Sequence, residues 1–151
     1  GRYLIPYLNP GNYLGLDKNE LLVQRGMRYE IPAQILKEKK PEFVISNCFE
    51  FERFSRPATY SMAQSLFTHL NEGDVRVCLE KLYRWAEPGH TLFASFDPSC
   101  RRRNPRDSHS SLKFYYSVDH LSTVGEASGW QTDYVGDWGH PRGLMLMRFR
   151  K

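Results

Sequence analysis

Cysteine is scarce in this chain of 151 residues, which contains only Cys48, Cys78 and Cys100. Three is an odd number, the spacings are wide, and no Cys-x-x-Cys pair or Cys/His cluster is present, which excludes the usual zinc-binding patterns. We therefore expect reduced thiols, a reducing cytoplasmic location and no structural metal. His109, His120 and His140 are also not spaced as metal ligands.

Long apolar stretches are missing as well. No run approaches the roughly 18 residues that a membrane-spanning helix needs, and the first residues lack the basic and then apolar pattern of a secretory signal. There is no internal repeat, and the one biased segment is the polar stretch 101–111, which predicts a loop. We expect a soluble protein without a membrane partner.

Acidic residues are slightly outnumbered, 17 against 21 Lys and Arg, which gives a net charge of +4 and a pI near 9.0. A basic chain raises the question of nucleic-acid binding. Much of the excess positive charge lies in short basic runs, in predicted loops or at the end of the chain: Lys37, Lys39 and Lys40, Arg101 to Arg103, and Arg148, Arg150 and Lys151. No RNA-binding motif or basic recognition helix accompanies them, so these runs indicate a solvated surface, and we do not expect a nucleic-acid partner.

The hydrophobic share of 40% and the aromatic share of 14% are enough for one core. We therefore predict a single domain over residues 1–151. The sequence leaves the oligomeric state open.

Six segments rich in β-branched, aromatic and other apolar residues predict strands. They are "NYLGLD" (12–17), "EFVISN" (42–47), "ATYSMAQ" (58–64), "TLFASFD" (91–97), "WQTDYVGDW" (130–138) and "LMLMRFR" (144–150).

Helical patterns separate several of these strands. We predict a helix over 18–28 that Asp17 caps, a helix in the segment "EGDVRVCLEKLYRWAEPG", and a helix over 118–128 between Ser117 as N-cap and Gly129 as C-cap. The second has an apolar stripe at helical spacing, made of Val75, Cys78, Leu79, Leu82 and Ala86. Alternating strands and helices predict parallel strands and a layered α/β fold, while the short "GHPRG" link predicts an antiparallel hairpin at the end.

The order of these segments resembles the class I, Rossmann-like S-adenosylmethionine-dependent methyltransferases over nearly the whole chain. The most specific pieces are "SLFTHL" before a helix and "EPGHTLFASF", which is similar to the family's turn into its fifth strand. "GDWGHPRG" is similar to a segment of bacterial members. The resemblance implies a three-layer sheet, mostly parallel, with a C-terminal antiparallel hairpin.

Family members begin with a strand and a glycine-rich loop that often ends in "GR", and this sequence starts at that "GR". Gly1 would be the last glycine of the loop. The resemblance thus implies that the first strand and most of the loop lie outside this sequence.

The resemblance implies S-adenosyl-L-methionine as cofactor. Ligands of open α/β sheets lie beyond the carboxyl ends of the strands, and the residues at those ends are candidates. Asp17 would bind the ribose diol, although it could instead serve only as a helix cap. The cofactor-binding candidates are Gly1, Asp17, Lys18, Asn47, Cys48, Gln64 and Ser65.

His69, in "FTHL", is the candidate catalytic base, since histidine titrates near neutral pH; alternatively it only packs and bonds the backbone. Exposed loop residues are candidates for substrate contacts: Tyr116, Trp138, His140 and Arg142. Gly139 and Gly143 are equally compatible with an ordinary hairpin turn.

The first functional hypothesis is methyl transfer to an oxygen or nitrogen nucleophile of a small or saccharide-like molecule. A noncatalytic remnant or partner subunit of the same fold is the second, and an RNA methyltransferase or binder is the third, favoured by Arg101 to Arg103. Against the third, the family's N/D-P-P-Y/F motif is replaced here by "QSLF".

Overall fold

The structure, a computed structural model, describes residues 1–99 and 103–151. Cys100, Arg101 and Arg102 lie outside the described residues, together with the predictions made for them. The chain divides into two compact units, residues 1–56 and 57–151, which we describe one at a time. The single domain over 1–151 stays a prediction.

The first unit contains two short strands and several helical segments. Its elements are α1 (Leu4–Tyr7), β1 (Leu14–Asp17), α2 (Glu20–Arg25), a π-helical turn (Gly26–Glu30), α3 (Ala33–Lys39), β2 (Glu42–Ile45) and a 3₁₀ turn (Phe51–Arg53). Strands β1 and β2 pair in parallel, with Leu14 opposite Glu42 and Asp17 opposite Ile45. The carboxyl ends of both strands therefore lie at the same edge.

The predicted N-cap of the helix after β1, Asp17, is wrong. Asn19 is the N-cap of α2, and its side chain accepts a hydrogen bond from the Leu22 N–H at 3.1 Å. Asp17 lies two residues earlier, where its Oδ1 accepts from the Asn19 N–H at 2.8 Å. An asparagine is as good a cap as an aspartate, so the helix does not need the Asp17 carboxylate for its first turn.

The second unit contains the remaining four strands and two longer helices. Its elements are β3 (Tyr60–Ala63), α4 (Glu72–Trp85), β4 (Thr91–Phe96), α5 (Val118–Ala127), β5 (Gln131–Asp137) and β6 (Met145–Arg150). All six predicted strands and the predicted helices before β4 and β5 are confirmed, each shifted by a few residues at most.

The sheet of this unit has the order β3-β4-β6-β5. Strands β3 and β4 are parallel, whereas β6 is antiparallel to both β4 and β5, which confirms the C-terminal hairpin. The outermost strand β5 has a bulge between Tyr134 and Gly136, where Gly136 adopts a φ of 93°. Within the described residues, β1 pairs only with β2, and β3 is the other edge strand of its sheet.

Helix α4 buries the predicted apolar stripe. Val75, Cys78, Leu79, Leu82 and Ala86 are all buried, as the helical spacing requires. Asn71 caps the helix by accepting from the Asp74 N–H at 2.8 Å.

Helix α5 begins at the predicted cap, since the Ser117 side chain accepts from the His120 N–H at 3.2 Å. It ends one residue earlier than predicted, with Ser128 as the C-cap and Gly129 behind it at a φ of 96°. That left-handed conformation favours glycine. Among the described residues, no helix has the length and apolar character to cross a bilayer.

His90 is a buried histidine just before β4. Its Nδ1 lies 2.7 Å from the Ala58 carbonyl oxygen, while its Nε2 is buried and has no hydrogen-bond partner within residues 1–99 and 103–151. Burial lowers its pKa below the ordinary 6.5, the bond to Ala58 acts in the opposite direction, and the charge of Lys151 lowers it further. The native protein therefore favours the neutral imidazole.

This histidine should make the protein acid-sensitive. Because the folded pKa lies below the unfolded one, the unfolded state binds the proton first as the pH falls below 6.5. The free energy of unfolding should decrease from that pH down to the folded pKa and then stay level. His90→Asn keeps a donor for Ala58 but cannot titrate, so urea unfolding across this window should show a smaller pH slope in His90→Asn than in the wild type. The exposed His109→Asn is the control, and equal slopes in His90→Asn and the wild type would contradict the prediction.

Candidate active site

Polar residues follow both strands of the first unit at their shared edge. The Ser46 N–H donates to the Asp17 carbonyl oxygen at 3.0 Å, so the chain after β2 begins beside the end of β1. The Asp17 side chain is exposed there, as is Lys18. One carboxylate oxygen bonds Asn19, which leaves acceptor capacity on the carboxylate for a ligand.

A cavity of about 480 Å³ lies in the first unit and is lined by both Gly1 and Asp17. A Cβ at Gly1 would lie 3.0 Å from Tyr13 Oη, so the backbone packs closely there. Other lining residues are Ile5, Leu22, Met27, Tyr29 and Phe43. Two of the predicted cofactor-binding residues thus share one cavity, whereas Lys18, Asn47 and Cys48 do not line it.

Ser46 organises the turn after β2. Its buried hydroxyl oxygen accepts from the Cys48 and Glu50 N–H groups, each at 3.2 Å. Asn47 and Cys48 are left on the exposed side of the turn. The sequence analysis missed Ser46, although a serine directly after a strand is a common turn signal.

Ser65, two residues after the end of β3 in the second unit, has an unusual backbone conformation. Its φ is 57°, which is uncommon for a residue other than glycine. Its N–H donates to the buried Ser95 Oγ on β4 at 2.7 Å, and its carbonyl accepts from Thr68 Oγ1 at 2.8 Å. Gln64 beside it is exposed. Two elements therefore hold the Ser65 backbone, and its own hydroxyl remains available for other contacts.

His69 lies in the turn between β3 and α4, since α4 begins only at Glu72. Its Nδ1 lies 3.2 Å from the Leu112 carbonyl oxygen. A carbonyl only accepts, so the neutral ring carries its proton on Nδ1, and the lone pair is on Nε2. Both predicted roles, backbone bonding and proton acceptance, are thus compatible within one side chain.

The connection between β5 and β6 holds three of the predicted substrate residues. The Arg142 N–H donates to His140 Nδ1 at 3.2 Å, and the rings of Trp138 and His140 lie 5.3 Å apart. Arg142 Nη2 lies 3.4 Å from Ser65 Oγ, which brings a hairpin residue to the end of β3.

Tyr116, the fourth predicted substrate residue, is buried, and its hydroxyl donates to the Leu70 carbonyl at 2.6 Å. Burial raises the pKa of this phenol, and the charges of Glu72 and Asp74 raise it further. Its ring stacks on His120 at 5.8 Å. The hydroxyl is therefore a neutral donor that already has a partner in the protein.

A second cavity, of about 580 Å³, lies where α4 and α5 begin. Glu72 and His120 line it and approach within 3.2 Å of each other. Asn104, which also lines this cavity, accepts from the Tyr115 N–H and donates to the Tyr115 carbonyl, each at 2.8 Å. The described residues contain no group of three or more His, Cys, Asp and Glu side chains that could hold a metal ion.

Asp97, directly after β4, is a strand-end residue that the sequence analysis did not nominate. It forms an ion pair with Lys113 and accepts from the Ser99 N–H at 2.9 Å. Burial alone would raise its pKa, but the bonds from Lys113 and Ser99 outweigh burial and lower it. Applying the strand-end rule to β4 as well as to the other strands would have identified this carboxylate.

Comparison with known proteins shows similarity at the level of three-dimensional structure. No family model and no curated protein matches the chain. The glycopeptide N-methyltransferase MtfA in complex with S-adenosyl-L-methionine is similar, with a TM-score of 0.67 and 11% identity, over 99% of this chain and 91% of that one. A methyltransferase from Methanosarcina mazei has a TM-score of 0.62 and 14% identity, over 90% of this chain and 78% of that one.

Human N-acetylserotonin methyltransferase in complex with S-adenosylmethionine has a TM-score of 0.63 and 14% identity, over 91% of this chain. The chain spans 40% of the length of that enzyme. These similarities confirm the predicted fold, which is the Rossmann-like fold of class I S-adenosylmethionine-dependent methyltransferases.

Proposed function

We propose that this protein transfers the methyl group of S-adenosyl-L-methionine to an oxygen or nitrogen nucleophile of a small or saccharide-like molecule. The observation that carries the proposal is Asp17, an exposed carboxylate at the carboxyl end of β1 that lines a cavity together with Gly1. In a sheet of this fold, that edge is where a nucleotide-like ligand binds. Two similar enzymes, by their names, act on a glycopeptide and on N-acetylserotonin.

The residues present fit the cofactor. Asp17 would accept hydrogen bonds from the ribose hydroxyls, and Gly1, which lines the same cavity, would present backbone to the ligand without a side chain. Asn47, held on the outside of the Ser46 turn, offers a carbonyl acceptor to the adenine amino group. When bound, the cofactor supplies a methyl group on a positively charged sulfur that leaves readily.

In the second unit, His69 Nε2 would take the proton that the acceptor's oxygen or nitrogen loses on methylation. The Leu112 carbonyl keeps that nitrogen unprotonated in the neutral ring. Alignment supplies most of the rate enhancement for an in-line displacement of this kind.

The proposal also includes a cytoplasmic location and a small-molecule partner instead of a nucleic acid. Both rest on the sequence: the few scattered cysteines fit a reducing compartment, and the basic runs lack a recognition motif.

Calorimetry with S-adenosylhomocysteine on the full-length protein tests the cofactor assignment. Asp17→Ala should weaken binding by roughly 10- to 100-fold, because hydrogen bonds to a charged acceptor contribute about 1.5–3 kcal/mol. Glu20→Gln, an exposed carboxylate in the first turn of α2, is the matched control and should bind like the wild type. The proposal fails if the wild type releases no binding heat, or if Asp17→Ala binds as tightly as the wild type does.

A further inference from the structure

Arg142 is an exposed arginine that the structure holds beside the end of β3. The turn around it is built from local bonds, from the Arg142 N–H to His140 Nδ1 at 3.2 Å and from the Gly143 N–H to the His140 carbonyl at 2.8 Å. Its guanidinium Nη2 lies 3.4 Å from Ser65 Oγ. The side chain therefore reaches across 77 sequence positions to a strand end.

The guanidinium has most of its hydrogen-bonding capacity unused. Arg142 forms no ion pair anywhere in residues 1–99 and 103–151, whereas Arg148 and Arg150 both pair with Asp133. Its one side-chain hydrogen bond, to Ser65, is long, and a guanidinium carries five N–H donors in a planar fork. Such a fork binds a carboxylate through two parallel hydrogen bonds.

The acidic residues that directly follow β4 and end β5 have partners already. Lys113 pairs with Asp97, which follows the neighbouring strand β4. The Asp137 carboxylate, at the start of the hairpin connection, accepts from the Gly139 N–H at 2.8 Å. An incoming anion would therefore find Arg142 as a cation that no carboxylate of the described residues neutralises.

We propose that the methyl acceptor carries a carboxylate and that Arg142 binds it, so that Arg142 determines the substrate class. This inference rests on the proposed function, in which His69, four residues after Ser65, receives the acceptor's proton. Ser65 supports the arginine through its hydroxyl, and its own backbone is held by Ser95. The acceptor would be anchored by its anionic group while its nucleophile faces the base.

Trp138 gives this site a spectroscopic reporter. Its indole Nε1 is buried and has no hydrogen-bond partner among the described residues, and its ring lies 5.3 Å from that of His140. A proton-detected ¹⁵N spectrum resolves each indole N–H, and the Trp138→Phe variant identifies the resonance. The resonance should shift when an anion binds the neighbouring guanidinium of Arg142.

The test titrates the full-length protein, saturated with S-adenosylhomocysteine, with benzoate, with its neutral analogue benzamide and with phenyl phosphate. Benzoate should shift the Trp138 resonance at millimolar concentration and benzamide should not. Arg142→Gln should weaken the benzoate response roughly tenfold or more, with Arg142→Lys in between because lysine keeps the charge and loses the fork. Arg84→Gln, an exposed arginine on α4, is the control.

Several outcomes would overturn this assignment. The first is a Trp138 resonance that does not shift with benzoate, and the second is an equal shift with benzoate and benzamide. The third is a benzoate shift that persists in Arg142→Gln, and the fourth is a shift with phenyl phosphate alone. Calorimetry of S-adenosylhomocysteine distinguishes failure of the proposed function from failure of the Arg142 assignment. Loss of cofactor binding rejects the proposed function. Intact cofactor binding with any of these four outcomes rejects only the role of Arg142.

Discussion

His69→Ala is expected to lower kcat by roughly 10²- to 10⁴-fold, the usual contribution of a positioned general base. The structure holds the imidazole through Nδ1 on the Leu112 carbonyl, so a single nitrogen is available to the acceptor. Removing the ring removes the proton acceptor but leaves Ser65 and Arg142 in place. The KM for the acceptor should therefore change much less than kcat.

The variant His69→Gln separates a base from a structural histidine. Glutamine can still donate to the Leu112 carbonyl but cannot take the acceptor's proton, so the kcat of His69→Gln should be as low as that of His69→Ala. His109→Ala is the matched control, because the contact of His109 with His69 runs through its backbone N–H, at 3.0 Å. If His69→Gln retains the wild-type kcat, His69 only holds the Leu112 segment.

Trp130→Ala is expected to lower the free energy of unfolding by about 3–5 kcal/mol, the cost of truncating a buried tryptophan. The indole is 2% exposed and lies edge-on to Tyr83 and Phe149, with ring centroids 5.2 and 6.5 Å away. Its Nε1 donates to the Leu79 carbonyl at 3.0 Å and so joins the start of β5 to α4. Since domains are stable by only about 5–15 kcal/mol, this variant should be close to unfolding at 37 °C.

Urea unfolding of Trp130→Phe serves as the comparison. Phenylalanine keeps an aromatic ring in the cluster but gives up the bond to Leu79, so the loss should be clearly smaller than for alanine. A Trp130→Ala variant that unfolds at the wild-type urea concentration would show that the core of the second unit does not depend on this side chain.

Strands and helices were predictable because their signals are local. The stripe from Val75 to Ala86 repeats at helical spacing, and the turn at Gly129 requires a backbone that glycine adopts easily. Asp17 was likewise found from its place at a strand end. The N-cap of α2 was not predicted correctly, because Asp17 and Asn19 are both residue types that cap helices and only the backbone geometry decides between them.

The parts of the site that could not be predicted depend on contacts between distant segments. Nothing near Arg142 in the sequence points to Ser65, and nothing near Ser65 points to Ser95. Tyr116 shows the opposite case, because a tyrosine ahead of a helix suggests an exposed contact residue. Its ring is buried instead, which no local pattern indicates, and its hydroxyl donates to the Leu70 carbonyl.

The bulge in β5 also limits how copies of this protein can associate. An outer strand offers unpaired N–H and carbonyl groups, and a regular one can recruit a strand from another molecule into a continuous sheet. The extra residue between Tyr134 and Gly136 breaks the regular spacing and increases the local twist. Sheet extension is therefore disfavoured along this edge, which protects the hairpin against aggregation.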